Sequence, residues 1–274
     1  RHLLRNFLIF LLVLIVVLGI VLAAAWRDGT GFDALHRYFA YGSSAVSSEK
    51  TVYQFDTDNS NRFAEMGDGC LVVLSDTALR MLGADGSEIW SANVQMTAPA
   101  LVQGGGKIAA YDVGGTAVYV LDENGEQWEL TAEGPIVSAS LNNSGMLAVT
   151  SQVSGTKGRV DVYTADGSAL AEVNAHRRFV ADACVTEDGK SLSVVLMGQE
   201  DGTFVSDVSF YDLTRPGEAE VTADYVVQDG LVTAMGCHGS SILTVMDTCF
   251  ASGRANGKLT GTYSYDGEYL REYD

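Results

Sequence analysis

Proline is nearly missing from this 274-residue chain, with three in all. Basic residues are scarce too: 17 Lys and Arg stand against 35 Asp and Glu, a net charge of −18. Each shortage excludes something. So acidic a chain repels a phosphate backbone, which argues against nucleic-acid binding through a basic face. Four cysteines are too few for a secreted domain built on a disulfide scaffold. Four histidines, His2, His36, His176 and His238, lie scattered, none with a second ligand at metal-binding spacing. Hydrophobic residues make up 47% of the chain and aromatic ones 9%, enough for a sizeable core and against wholesale disorder.

What is present is unevenly placed. Nineteen residues from Phe7 to Ala25 carry no charge. At about 1.5 Å per residue, such a helix spans roughly the ~30 Å hydrocarbon layer of a bilayer. Arg1 and Arg5 precede the run and Trp26 ends it, which predicts a cytoplasmic N-terminus and everything after Trp26 outside. Ala23-Ala24-Ala25 would serve as a cleavage site, yet the run exceeds the roughly 7–15 apolar residues of a signal peptide. Residues 1–26 are therefore read as an uncleaved transmembrane signal anchor. In residues 27–50, Phe32, Leu35, Tyr38, Phe39 and Tyr41 recur at helical spacing, and a Ser-rich linker follows Gly42. This juxtamembrane helix either lies on the membrane surface or packs on the domain that follows.

From residue 51 onward the apolar period falls to two. Runs rich in Val, Tyr, Thr and Leu alternate with Gly, Asn and Asp, as antiparallel strands require. One pattern returns, a β run followed by Asp85-Gly86, Asn124-Gly125, Asp166-Gly167 or Asp266-Gly267. The pair supplies the positive φ that tight hairpins need. The markers lie 39, 42 and 100 residues apart, the last interval holding two longer units with a longer turn near Ser209–Gly217. Periods near 40–50 point to propeller blades, whereas a two-sheet sandwich has no reason to repeat at 40.

The expected fold class is all-β, a β-propeller of four-stranded blades over 51–274, preceded by one N-terminal transmembrane helix. Five units are drawn, at about 62–97, 98–132, 135–174, 179–222 and 225–273. Thr51–Asp56 is left over as a lone strand of the kind that closes a ring through its last blade. One or more further blades are accordingly expected beyond Asp274.

Two resemblances follow from particular residues. Gly83-Ala84-Asp85-Gly86-Ser87-Glu88-Ile89-Trp90 resembles the repeat of pyrroloquinoline-quinone-type propellers, and Asn124-Gly125-Glu126-Gln127-Trp128 echoes it. That resemblance implies a Trp packed between blades. Tyr111-Asp112-Val113-Gly114-Gly115, followed by Val118-Tyr119 and a Gly turn, looks like the most recognisable blade of the DUF5711 family of membrane-anchored propeller proteins. That family's outline implies an anchor, a short juxtamembrane segment and a propeller, and no activity.

Residues that carry chemistry are few. Cys237 and His238 are adjacent, so they cannot easily chelate one tetrahedral metal together. Cys70, Cys184, Cys237 and Cys249 are read as buried thiols, Cys237 with Cys249 being the most plausible disulfide if one forms. Asp56–Asn61 starts like a calcium loop but lacks its Gly at position six and Glu at position twelve. Gly104-Gly105-Gly106 and Gly114-Gly115 are read as hairpin turns, because neither opens a helix after a parallel strand. Glu187-Asp188 and Glu200-Asp201 fall in wet turns, where a carboxylate is poorly tuned for acid–base work. No residue set is put forward as catalytic, cofactor-binding or metal-binding.

With residues 1–26 set aside, 15 basic residues face 35 acidic ones, a net charge of −20. The leading expectation is a single-pass membrane protein whose extracytoplasmic propeller binds a protein or glycan partner or acts as a scaffold. The competing expectations are a propeller enzyme, either a quinoprotein-like dehydrogenase or a hydrolase, and a subunit of an envelope assembly complex. A channel enzyme would need inward-facing ionisable or metal-binding residues at the blade starts. Ala100, Val137 and Ala181 are read there, which favours binding.

Overall fold

Alternating Val, Leu and Ala positions bounded by Gly turns form 21 strands among the described residues, 61–227 and 231–268 of a computed structural model. The first sheet holds β1 (Arg62–Met66), β2 (Cys70–Leu74), β3 (Ala78–Leu82) and β4 (Glu88–Asn93). The second holds β5 (Pro99–Gly104), β6 (Lys107–Asp112), β7 (Ala117–Asp122) and β8 (Gly125–Thr131). The third holds β9 (Ile136–Leu141), β10 (Leu147–Ser151), β11 (Gly158–Tyr163) and β12 (Ala169–Ala175). The fourth is made of β13 (Phe179–Val185), β14 (Ser191–Glu200), β15 (Thr203–Asp212) and β17 (Val221–Val227). The fifth is made of β18 (Val232–His238), β19 (Ser241–Met246), β20 (Cys249–Arg254) and β21 (Leu259–Ser264). Within each of these sets consecutive strands pair antiparallel, and first strands of successive sheets lie side by side. This is a β-propeller of four-stranded blades.

The outer, fourth strand of every blade carries a bulge opposite the end of the third, with Ile89, Gln127, Leu170, Thr222 and Thr260 as the extra residues. Along the third strands, ordinary alternation turns consecutive side chains to opposite neighbours. In β7, Val118 and Val120 pack toward the third sheet, while Leu121 joins the core shared with the first. Four apolar clusters result, one between each pair of consecutive sheets. Each fully buried Val or Leu contributes roughly 1.5–3 kcal/mol relative to exposure. Among the described residues no such cluster joins the fifth sheet to the first, and β21 is exposed along its length.

The Asp-Gly and Asn-Gly turns serve packing as well as chain reversal. A Cβ on Gly125 would sit 3.1 Å from the Trp90 indole, and one on Gly167 2.8 Å from Trp128. Each Trp therefore lies on the turn glycine of the next blade, as the quinone-type repeat implies. Trp128 also donates its indole N–H to the Ala165 carbonyl at 3.3 Å.

Three sequence expectations need correction. The marker of the fifth blade is Asn256-Gly257 between β20 and β21, whereas Asp266-Gly267 follows β21. Asn256-Gly257 follows Cys249–Arg254, a run with no β-branched residue, so it does not read as a strand end. The division between the last two units moves from 222–225 to beyond Val227, because β17 pairs with β15 across a bulge. The longer turn of the fourth blade is no plain loop: β16 (Gly217–Glu218) pairs in parallel with β12, adding a fifth strand to the third sheet. The anchor, the juxtamembrane helix, Thr51–Asp56 and Asp56–Ser60 lie outside the described residues.

Candidate functional site

β5, β9, β13 and β18 border a cavity of about 330 Å³. Its lining includes Gln103, Ser140, Leu141, Asn142, Asp182, Cys184, Met235 and Cys237. Asp182 reaches it through a bulge between Val180 and Asp182. Strict alternation would put Val180 and Asp182 on one face of β13. Instead Val180, Ala183 and Val185 pack against the third sheet, while Ala181 turns toward the fifth and Asp182 and Cys184 border the cavity. The blade-start positions read from sequence, Ala100, Val137 and Ala181, are half-buried and do not line this cavity. The inward ionisable group lies one residue beyond Ala181, and a period-two count cannot find it.

Burial pushes the Asp182 carboxyl above its ordinary range, while hydrogen bonds from the Ala183 amide, the Ser138 hydroxyl and the Met235 amide pull it back. The Ala183 bond is 2.9 Å long. Tyr111, 7% exposed, is pushed up first by burial and further by the Asp182 charge, against the Ala139 amide on its oxygen. No Lys or Arg among the described residues pairs with Asp182. The other deeply placed carboxylates fare differently. Asp161 is held by Arg159 at 2.7 Å, Asp207 by Arg178, and Asp112 accepts the Thr97 and Ala98 amides at 2.8 and 2.7 Å.

A disulfide closes one wall. Cys184 of β13 and Cys237 of β18 are joined, their Cα atoms 6.1 Å apart and 53 residues apart in sequence. This corrects the expectation of four buried thiols and the suggested Cys237–Cys249 pair; Cys70 and Cys249 are the free ones. The partners sit on neighbouring first strands, about one blade period apart, which places them at similar height on the channel wall.

The DUF5711-like motif braces the same region. Gly114 donates its amide to the Ile136 carbonyl at 2.8 Å, and Ile136 returns one to the Gly115 carbonyl at 2.7 Å. Gly115 has to be glycine, since a Cβ there would lie 2.3 Å from the Asp112 carboxylate. Asn142 ties the next blade on, donating to the Thr186 carbonyl at 2.9 Å and accepting the Met146 amide at 2.8 Å. Gly104-Gly105-Gly106 and Gly114-Gly115 form the hairpin turns expected of them.

The remaining polar groups lie elsewhere. Arg159 also pairs with Glu172 at 2.9 Å and Glu133 at 3.0 Å. Arg178 bridges Glu200 and Asp207 in a groove of about 700 Å³ that His176 also lines. His238, fully solvated, stands 3.5 Å from Glu187 in a neighbouring turn. Asp188 closes its own turn by accepting the Thr186 hydroxyl at 2.8 Å, and Asp201 occupies a hairpin tip with φ of 49°. Among the described residues no three His, Cys, Asp or Glu side chains converge as a metal site requires.

Comparison with known proteins agrees with this geometry. The model of a family described as a family of unknown function, DUF5711, matches residues 39–233. A search of curated protein sequences finds no match. Among solved structures the chain is similar to Kluyveromyces lactis Hsv2p, at 12% identity and a TM-score of 0.53, covering 77% of this chain and 75% of that one. It is also similar to Kuenenia stuttgartiensis hydrazine synthase, at 15% identity and a TM-score of 0.55 over 81% and 71% of the two chains. The Dos1 propeller matches at 11% identity and a TM-score of 0.54, over 73% of this chain and 58% of that chain. Identities this low speak for the fold alone.

Proposed function

The chain belongs to the DUF5711 family, and from its fold and its channel we propose that it is a membrane-anchored, extracytoplasmic binding propeller whose channel cavity receives part of a partner. The observation that carries this reading is the Cys184–Cys237 disulfide bordering a cavity lined by Asp182, a carboxylate with no Lys or Arg partner among the described residues. Disulfides persist in oxidising compartments and are rare in a reducing cytosol, which supports placing the domain outside. The uncharged run Phe7–Ala25, with Arg1 and Arg5 before it and Trp26 after it, supports an anchor with that orientation.

The excess of acidic residues supports a partner with basic or cationic groups. A preformed concave site with few polar groups among apolar ones is the usual form of a ligand pocket. In the test, protease is added outside intact cells and the propeller is followed by immunoblot. Digestion after residue 26, with the N-terminus protected, is the expected result. A propeller that stays intact until the cells are lysed contradicts the placement.

A further inference from the structure

Resting on that reading, we infer that the channel cavity beside Asp182 is a receptor for a primary alkylammonium group, carried either by a free amine or by a lysine side chain of a partner. The cavity offers one charged residue, Asp182, set among Leu141, Met235 and the bonded Cys184 and Cys237, with Gln103, Ser140 and Asn142 as neutral polar neighbours. Asp161 and Asp207 already have arginines of their own. Asp182 has only neutral partners, the Ala183 amide of its own strand, the Ser138 hydroxyl of β9 and the Met235 amide of β18, and no Lys or Arg lines the cavity.

A carboxylate in such surroundings favours a cation that brings three N–H donors and little else. The aliphatic stem behind an ammonium matches the apolar walls. A volume of about 330 Å³ suits one side chain or a small amine rather than a folded segment. The surplus negative charge of the chain draws cations toward the channel from a distance.

The test uses the full chain labelled with ¹³C in its methionine methyl groups. Met235 serves as the reporter, identified by a Met235→Leu variant. The probes are pentylamine, Nα-acetyl-lysine methylamide and, as a neutral counterpart, 1-pentanol. Saturable movement of the Met235 signal by pentylamine is expected, with affinity at least tenfold lower for 1-pentanol and for Asp182→Asn. A tighter response to the lysine derivative than to pentylamine assigns the site to a partner's side chain, and the reverse order assigns it to a free amine.

Equal binding of 1-pentanol and pentylamine to the unmutated chain overturns the inference, even if the Asn variant fails to fold. No response to either amine overturns it as well. In both of these cases the extracytoplasmic placement stands or falls on the protease experiment alone.

Discussion

Cys184 and Cys237 are bonded across the first strands of neighbouring blades, and each lies two residues from a cavity-lining side chain, Asp182 and Met235 respectively. The bond therefore fixes the spacing of the two strands that hold the carboxylate and its apolar counterwall. Closing a 53-residue separation removes chain entropy from the unfolded state worth about 4 kcal/mol in the simplest treatment. Cys184→Ser is expected to lower stability by about 2–4 kcal/mol in denaturant unfolding. The unmutated chain under strong reductant should unfold at the same midpoint as the variant. A midpoint insensitive to reductant would show that the bond is not formed.

Trp128 and Gly167 should behave as one unit. Gly167 has φ of 84°, and any Cβ there meets the indole. Gly167→Ala is expected to cost about 2 kcal/mol from left-handed backbone and overpacking together. Trp128→Ala removes the indole from the turn, so adding it to Gly167→Ala should cost less than the sum of the two. A double-mutant cycle measures this, and strict additivity would mean that the indole does not rest on the turn.

Arg159 neutralises the buried Asp161 and reaches Glu133 and Glu172. Arg159→Met should cost about 2–3 kcal/mol, since it strands a carboxylate that is 8% exposed. Arg80→Met breaks the exposed pair with Glu88 and should leave the unfolding midpoint nearly unchanged. Equal losses in the two variants would contradict the contrast in burial.

The pH dependence of stability carries the signature of Asp182. A carboxyl raised on folding favours the folded state when protonated. Its contribution is complete below the unfolded value of about 3.9 and is lost as pH rises through the raised folded value. Asp182→Asn removes this loss. Its melting temperature relative to the unmutated chain should therefore rise between pH 3.5 and pH 7, as read by thermal melts. Tyr111 faces the same carboxyl but ionises far above this window. An offset that stays constant with pH would show that Asp182 is not desolvated.

Much of the architecture is legible along the chain because it depends on local chemistry. Asp85-Gly86, Asn124-Gly125 and Asp166-Gly167 mark turns through the positive φ that glycine adopts readily, and their spacing reveals the blade period. The site is less legible, because it depends on register between blades. Asp182 faces the channel only through the bulge after Val180. Cys184 meets Cys237 only because two first strands stand side by side, a relationship that no hairpin within one blade reports. The pairing of Gly217–Glu218 with β12 is likewise a contact between units, and it lies in the stretch where the turn marker is missing.

Thiol accounting in living cells tests the central claim, a channel-bearing propeller outside the membrane, most directly. Cells are treated with an alkylating agent at harvest, and the chain is denatured without reductant and digested for mass spectrometry. The account predicts alkylated Cys70 and Cys249, together with a linked peptide pair joining Cys184 to Cys237. Four alkylated cysteines, or a linked pair of different composition, would contradict it.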